Sequence, residues 1–130
     1  MTRDKLIRWA TVAALYLLWP AIAVVVWGEL TPSPGQIEML VWDKALHFIA
    51  YFGLGGMVCV ALKGERRVLM GVVGLAVLGG VLEVLQGFTG RDPDIYDEAA
   101  NILGAFSGAG AGWLLLRVLR PKILVAVKRD

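Results

Sequence analysis

Four stretches of about 20 predominantly apolar residues take up most of this 130-residue chain, and they leave few folds open to it. A helix rising about 1.5 Å per residue needs that length to cross about 30 Å of hydrocarbon. The stretches cover residues 6–28, 43–62, 68–88 and 99–119. Apolar residues make up 58% of the chain, against about 45–50% in soluble domains even when glycine is counted. The expectation is therefore a single all-α domain, an integral membrane bundle of four transmembrane helices. The lone cysteine, Cys59, excludes an internal disulfide framework and multi-cysteine metal sites. Near the middle of the second span it reads as a small packing residue.

The links between spans are short or broken. Glu29-Leu30-Thr31-Pro32-Ser33-Pro34-Gly35 cannot continue a helix, and Gln36 to Trp42 reads as a short amphipathic turn along the interface. The basic link Lys63-Gly64-Glu65-Arg66-Arg67 makes spans two and three antiparallel neighbours. Eleven of the 13 Lys and Arg fall on one side of the four spans, leaving Lys44 and Arg91 for the other. By the positive-inside rule both termini are cytoplasmic and the loops after spans one and three face outward. Trp27 and Trp42 fall at the outer boundary and Trp9 near the inner one, where indole rings settle. A cleaved leader is the competing reading, with Ala21-Ile22-Ala23 as its cleavage site. The apolar run continues through Val24-Val25-Val26-Trp27, beyond a leader's usual core, and favours a retained span. The tail Lys122–Asp130 either extends span four or lies on the inner surface.

A charge at mid-membrane costs about 2.5–3.5 kcal/mol on insertion scales, so polar residues inside spans need partners or water. Span one carries none in its middle. Asp43, Lys44, His47, Glu83, Gln86, Asp97, Glu98 and Asn101 all lie toward the outer ends of the other three. Asp43, His47 and Tyr51 share one stripe of span two, four residues apart. Glu83 and Gln86 are three apart on span three, and Asp97 and Asn101 four apart on span four. His47, Glu83 and Asn101 come out roughly 6–8 Å inside the outer boundary. Together they describe a polar pocket embedded in the membrane and open to the outside. Asp94 reads as the N-cap of span four with Asp97 or Glu98 in its first turn. Glu83 resists such an account, because a carboxylate near a helix C-terminus is disfavoured. It needs Arg91, Lys44, His47 or a bound cation, or else a proton. The small residues Ala100, Gly104, Gly108 and Gly112 repeat every four, a pattern that lets helix backbones approach closely. Gly53, Gly55 and Gly56, and Gly71, Gly74, Gly79 and Gly80, offer matching surfaces.

Two segments resemble the VanZ-like family of small membrane proteins. Asp43-Lys44-Ala45-Leu46-His47-Phe48-Ile49-Ala50-Tyr51 is similar to that family's D-K-x-x-H-F-x-x-Y segment. Glu83 and Gln86, then Arg91, then Asp97, Asn101 and Gly104 follow its E-x-x-Q, R, D-x-x-x-N-x-x-G pattern. Leu82 stands where the family often has a bulkier polar or acidic residue. The resemblance spans roughly residues 43–112 and implies a multi-pass protein of the bacterial cytoplasmic membrane. It also implies a link to glycopeptide resistance, since the name-giving member lowers susceptibility to teicoplanin. It carries over no catalytic residues, only the signature positions Asp43, Lys44, His47, Tyr51, Glu83, Gln86, Arg91, Asp97 and Asn101.

Three classes of function remain. The pocket can recognise or modify an envelope component at the outer leaflet: a cell-envelope lipid, a lipid-linked precursor or a lipoglycopeptide. His47 and Glu83 are then the acid and base candidates, and Lys44 and Arg91 can hold a phosphate or carboxylate. Asp43, Tyr51, Gln86, Asp97 and Asn101 complete the binding set. No nucleophile motif and no H-E-x-x-H pair is present, so catalysis stays open. A metal held by His47, Glu83 and Asp97 cannot be read from residues on separate helices, and neither metal nor cofactor is assigned. Alternatively the cluster only fastens three helices, as a fully satisfied polar network can. A small exporter is disfavoured, because residues 6–28 have no interior acid and inverted repeats are not evident. Nucleic acid is not expected as a partner, since topology and anionic lipid account for the inner cations. The oligomeric state is left open.

Overall fold

The computed structural model describes residues 2–31 and 40–119, which form four helices: α1 (Arg3–Leu30), α2 (Leu40–Ala61), α3 (Glu65–Gln86) and α4 (Ile95–Leu119). All four are long and apolar enough to cross a membrane. Residues 36–39 of the expected interfacial turn, the Pro/Gly linker from Pro32, and the tail from Arg120 lie outside the described residues. Residues 40–42 belong to α2 and not to a turn. The helices start earlier than hydropathy placed them. α4 opens at Ile95 because Asp94 caps it, its Oδ1 accepting the Tyr96 N–H at 2.9 Å. Asp97 and Glu98 fall in the first turn, as expected, where the helix dipole favours negative charge. After Leu62 and Lys63, Gly64, whose φ is 90°, turns the chain into α3. Pro20 lies within α1 without ending it.

Contacts between helices set their directions. Gly71 of α3 faces Val58 and Leu62 at the end of α2, so α2 and α3 run antiparallel. Gly79 of α3 faces Glu98 and Asn101, which makes α3 and α4 antiparallel too. α1 is tied to α2 by Thr11 Oγ1 donating to the Val60 carbonyl at 3.2 Å. The closest approach is between α2 and α4, which run parallel. A Cβ on Gly104 would strike the Phe48 carbonyl oxygen, one on Gly108 that of Phe52, and one on Gly55 that of Ala105. The four-residue repeat on α4 is thus a seam against α2, completed by Gly112 over Gly56 and Cys59. Gly53 and Gly74 take no part, since each faces open space.

Inside, Tyr51, Leu54, Val58, Val72, Leu75 and Ala105 form the apolar core. Outside, the exposed side chains are large and apolar on every helix, including Trp9, Tyr16, Trp19 and Trp27 along α1. A soluble monomer rarely shows a continuous apolar surface of that extent, and the exterior suits a lipid bilayer. The polarity runs inside out. Every buried polar or charged side chain among the described residues (Glu29, His47, Glu83, Gln86, Asp97 and Asn101) sits at the end of the bundle that carries the α3–α4 loop.

Candidate functional site

The site has two layers. The outer layer is ionic and paired. Lys44, on the first turns of α2, donates to Asp94 Oδ2 at 2.5 Å and to Asp97 Oδ1 at 3.1 Å, joining α2 to the cap of α4. Arg91, from the α3–α4 loop, donates to both oxygens of Asp43 at 3.2 and 3.0 Å. It also donates to the Glu29 carbonyl at 3.4 Å, satisfying a carbonyl at the C-terminal end of α1. Lys44 and Arg91 were expected to hold an anionic ligand; both instead hold carboxylates of this chain. Asp94 lies outside the helices. The Lys44 ammonium, and then the Tyr96 N–H, hold its carboxyl below the usual carboxylate value of 3.8.

One helical turn further in lies the second layer. His47 and Asn101, from α2 and α4, meet with Nδ1 3.0 Å from Oδ1. Asn101 Nδ2 donates to Glu98 Oε2 at 3.3 Å, which turns the amide oxygen toward the imidazole. The network therefore makes Nδ1 the donor to Asn101. Two carboxylates close on the same nitrogen: Glu29 Oε1 at 3.5 Å and Glu83 Oε1 at 3.9 Å. Glu83 is fixed through its other oxygen, which accepts the Asp94 N–H at 3.2 Å. This is a partner the residue spacing did not offer, since Asp94 contributes its backbone.

The distinguishing property of the inner layer is what it leaves unmade. Among the described residues, Oε1 of Glu83 and Nε2 of Gln86 are buried without a hydrogen-bond partner, while the Glu29 carboxylate and the Tyr51 hydroxyl, also buried, lie against each other without a well-aligned hydrogen bond. Tyr51 and Asn101 are fully enclosed, and Gln86 is 1% exposed. An unmet buried polar group costs about 1–3 kcal/mol, and more when charged, so such groups in one cluster demand an explanation. A cavity of about 290 Å³ reaches this layer at Glu29 and His47, which with Asp43 and Arg91 wall its polar end. Val24, Val25, Leu46 and Ala50 make the apolar end.

Sequence reasoning named nine of these side chains, Asp43, Lys44, His47, Tyr51, Glu83, Gln86, Arg91, Asp97 and Asn101, and the structure brings His47, Glu83 and Asn101 together. It missed Glu29, which it assigned to the linker after span one. The missing signal was the one that marked Glu83: α1 runs to Leu30, so Glu29 is a carboxylate in a last turn, where the dipole disfavours it. Glu98 was credited with the dipole alone, yet it also orients Asn101. Asp43, His47 and Asp97 bring one ligating atom each within 4.8 Å of one another, the spacing of a three-donor cation site. Arg91 and Lys44 already neutralise both carboxylates, so a metal ion would have to displace two ion pairs. The trio weighed from sequence without a metal being assigned to it, His47, Glu83 and Asp97, is not the set so grouped. No protein-family model, curated protein or solved structure matches the chain.

Proposed function

We propose that this is a VanZ-like protein of the bacterial cytoplasmic membrane, with both termini inside. Its outward-facing pocket recognises or modifies a cell-envelope lipid, a lipid-linked precursor or a lipoglycopeptide. The observation that carries the proposal is the pair of buried carboxylates, Glu29 and Glu83, that close on His47 without an Arg or Lys partner among the described residues, with Glu29 and His47 in the wall of a cavity whose other end is apolar. A cluster that served only to fasten helices would close its own hydrogen bonds. Intramembrane ionisable groups left open are functional-site candidates by default. His47 carries the chemistry for proton transfer, with Nδ1 oriented by Asn101. Glu83, held by the Asp94 N–H, is the acid or base beside it.

The outer ion pairs favour a second role, a latch that joins α2, α4 and the α3–α4 loop. The two readings part on mutation. Glu83→Gln and His47→Ala should abolish protection against a teicoplanin-type lipoglycopeptide while the protein still inserts and keeps its thermal stability in detergent. Protection is compared with that against a glycopeptide lacking the acyl chain. A fall in stability proportional to the loss of protection would make the cluster a fastening and defeat the recognition reading.

A further inference from the structure

The end of the bundle away from the polar site has the opposite electrostatic character. Around the polar site Lys44 and Arg91 are both spent on carboxylates. At the other end the cations are free: among the described residues no ion pair involves Lys63, Arg66, Arg67 or Arg117. Glu65, the acid of the α2–α3 link, pairs with none of them. Arg117, in the last turn of α4, is nevertheless held in place. Its guanidinium carbon lies 5.0 Å from the centre of the Trp113 ring, a cation–π contact. Trp113 and Lys63 both belong to the wall of a cavity of about 550 Å³.

The cavity exists because α3 changes partner along its length. Gly79 meets Glu98 and Asn101 of α4, whereas Gly71, nearer the start of α3, meets Val58 and Leu62 of α2. The first turns of α3 and the last turns of α4 thus leave a wedge between them, lined by Leu69 and Val72 from one and Phe106 and Trp113 from the other. Leu69, Phe106 and Trp113 are about half exposed, so the wedge opens to the lipid side of the bundle. Gly110 also lines it, and a Cβ there would meet nothing within 4 Å. An apolar space of this kind does not hold water; in a bilayer an acyl chain fills it. Basic recesses between transmembrane helices take anionic headgroups. We infer that the wedge binds an anionic phospholipid, one acyl chain lying between α3 and α4 and the phosphate held at Lys63 and Arg117. The chain's own tail fits worse, because Arg120, Lys122, Lys128 and Arg129 against one acid, Asp130, bring like charge to those cations. The wedge shares no residue with the cavity at Glu29 and His47, so it stands whatever that cavity binds.

The test uses the full chain purified in detergent and mixed with equal amounts of phosphatidylglycerol, phosphatidylcholine and phosphatidylethanolamine of identical acyl chains. Retained lipid is read by native mass spectrometry. Phosphatidylglycerol should be retained about tenfold over either zwitterionic lipid, the order of effect that two nearby cations have on one net charge. Lys63→Gln combined with Arg117→Gln should erase the preference. Gly110→Leu, which puts a side chain into the open wedge, should lower phosphatidylglycerol retention by a similar factor without lowering thermal stability. Glycerol phosphate, which has the anionic group and no acyl chain, should not displace the lipid at equal concentration. No retained lipid, equal retention of the three, or a preference indifferent to the paired Gln substitutions would each overturn the site. A preference that survives Gly110→Leu, or that glycerol phosphate abolishes, would overturn it too, reducing it to surface charge. If the doubly substituted chain does not fold, the three-lipid comparison together with Gly110→Leu decides.

Discussion

At the scale of single residues, the site shows how one side chain serves several ends. Asp94 caps α4 with Oδ1, ties Lys44 with Oδ2 and gives its N–H to Glu83. Asparagine can keep the cap, since it ranks with aspartate at that position, but it loses the charge. Thermal unfolding in detergent should therefore order the variants as unaltered chain above Asp94→Asn above Asp94→Ala. The pH dependence has a definite sign. The folded carboxyl titrates below 3.8, so the margin of the unaltered chain over Asp94→Asn is full above that pH. It should shrink as pH falls below 3.8 and vanish once the folded value is passed. A margin that grew on acidification would contradict the Lys44 pairing.

At the scale of elements, the α2–α4 seam positions the site. His47 and Asn101 can meet only because Gly104 and Gly108 let the α4 backbone lie on Phe48 and Phe52 of α2, with one helical turn separating Gly104 from Asn101. The obstructing atoms are backbone carbonyls, which cannot swing aside as a side-chain end can. Gly108→Ala should cost about 1–3 kcal/mol through overpacking. Gly53→Ala and Gly110→Ala, which meet nothing within 4 Å, should be neutral or stabilising by up to ~1 kcal/mol from helix propensity. Equal effects at the three positions, measured by thermal unfolding in detergent, would show that the seam does not govern stability. α1 contributes differently. It is the least buried helix, held at one end by Thr11 on Val60 and at the other by Arg91 on its terminal carbonyl.

For the whole molecule, the proposed orientation places the site at the outer leaflet, and it is open to direct measurement. In a Cys59→Ser background, a membrane-impermeant thiol reagent applied to intact cells should label Asp92→Cys in the α3–α4 loop. Lys63→Cys, next to α3, should be labelled only after the membrane is broken. The reverse pattern would put Glu29, His47 and Glu83 on the cytoplasmic side, and envelope lipids presented outside could not reach them. The distribution of cations on either side of the spans supports the first outcome.

The architecture was legible without coordinates, because crossing hydrocarbon requires long apolar runs and the spacing of polar residues along a helix dictates which share a face. The stripe of Asp43, His47 and Tyr51, the depth of Glu83 and Asn101, the cap at Asp94 and the small-residue repeat on α4 all follow from that arithmetic. Tertiary structure alone decided which groups satisfy one another. It spent Lys44 and Arg91 on carboxylates of the chain, and it gave Glu83 a backbone partner from the next loop. It also drew Glu29 in from a fourth helix. Pairing across helices depends on rotation and register within an ångström or two, to which a hydrophobic period is insensitive. For the same reason no pattern of residue types could tell that two carboxylates, Glu29 and Glu83, would close on one nitrogen of His47.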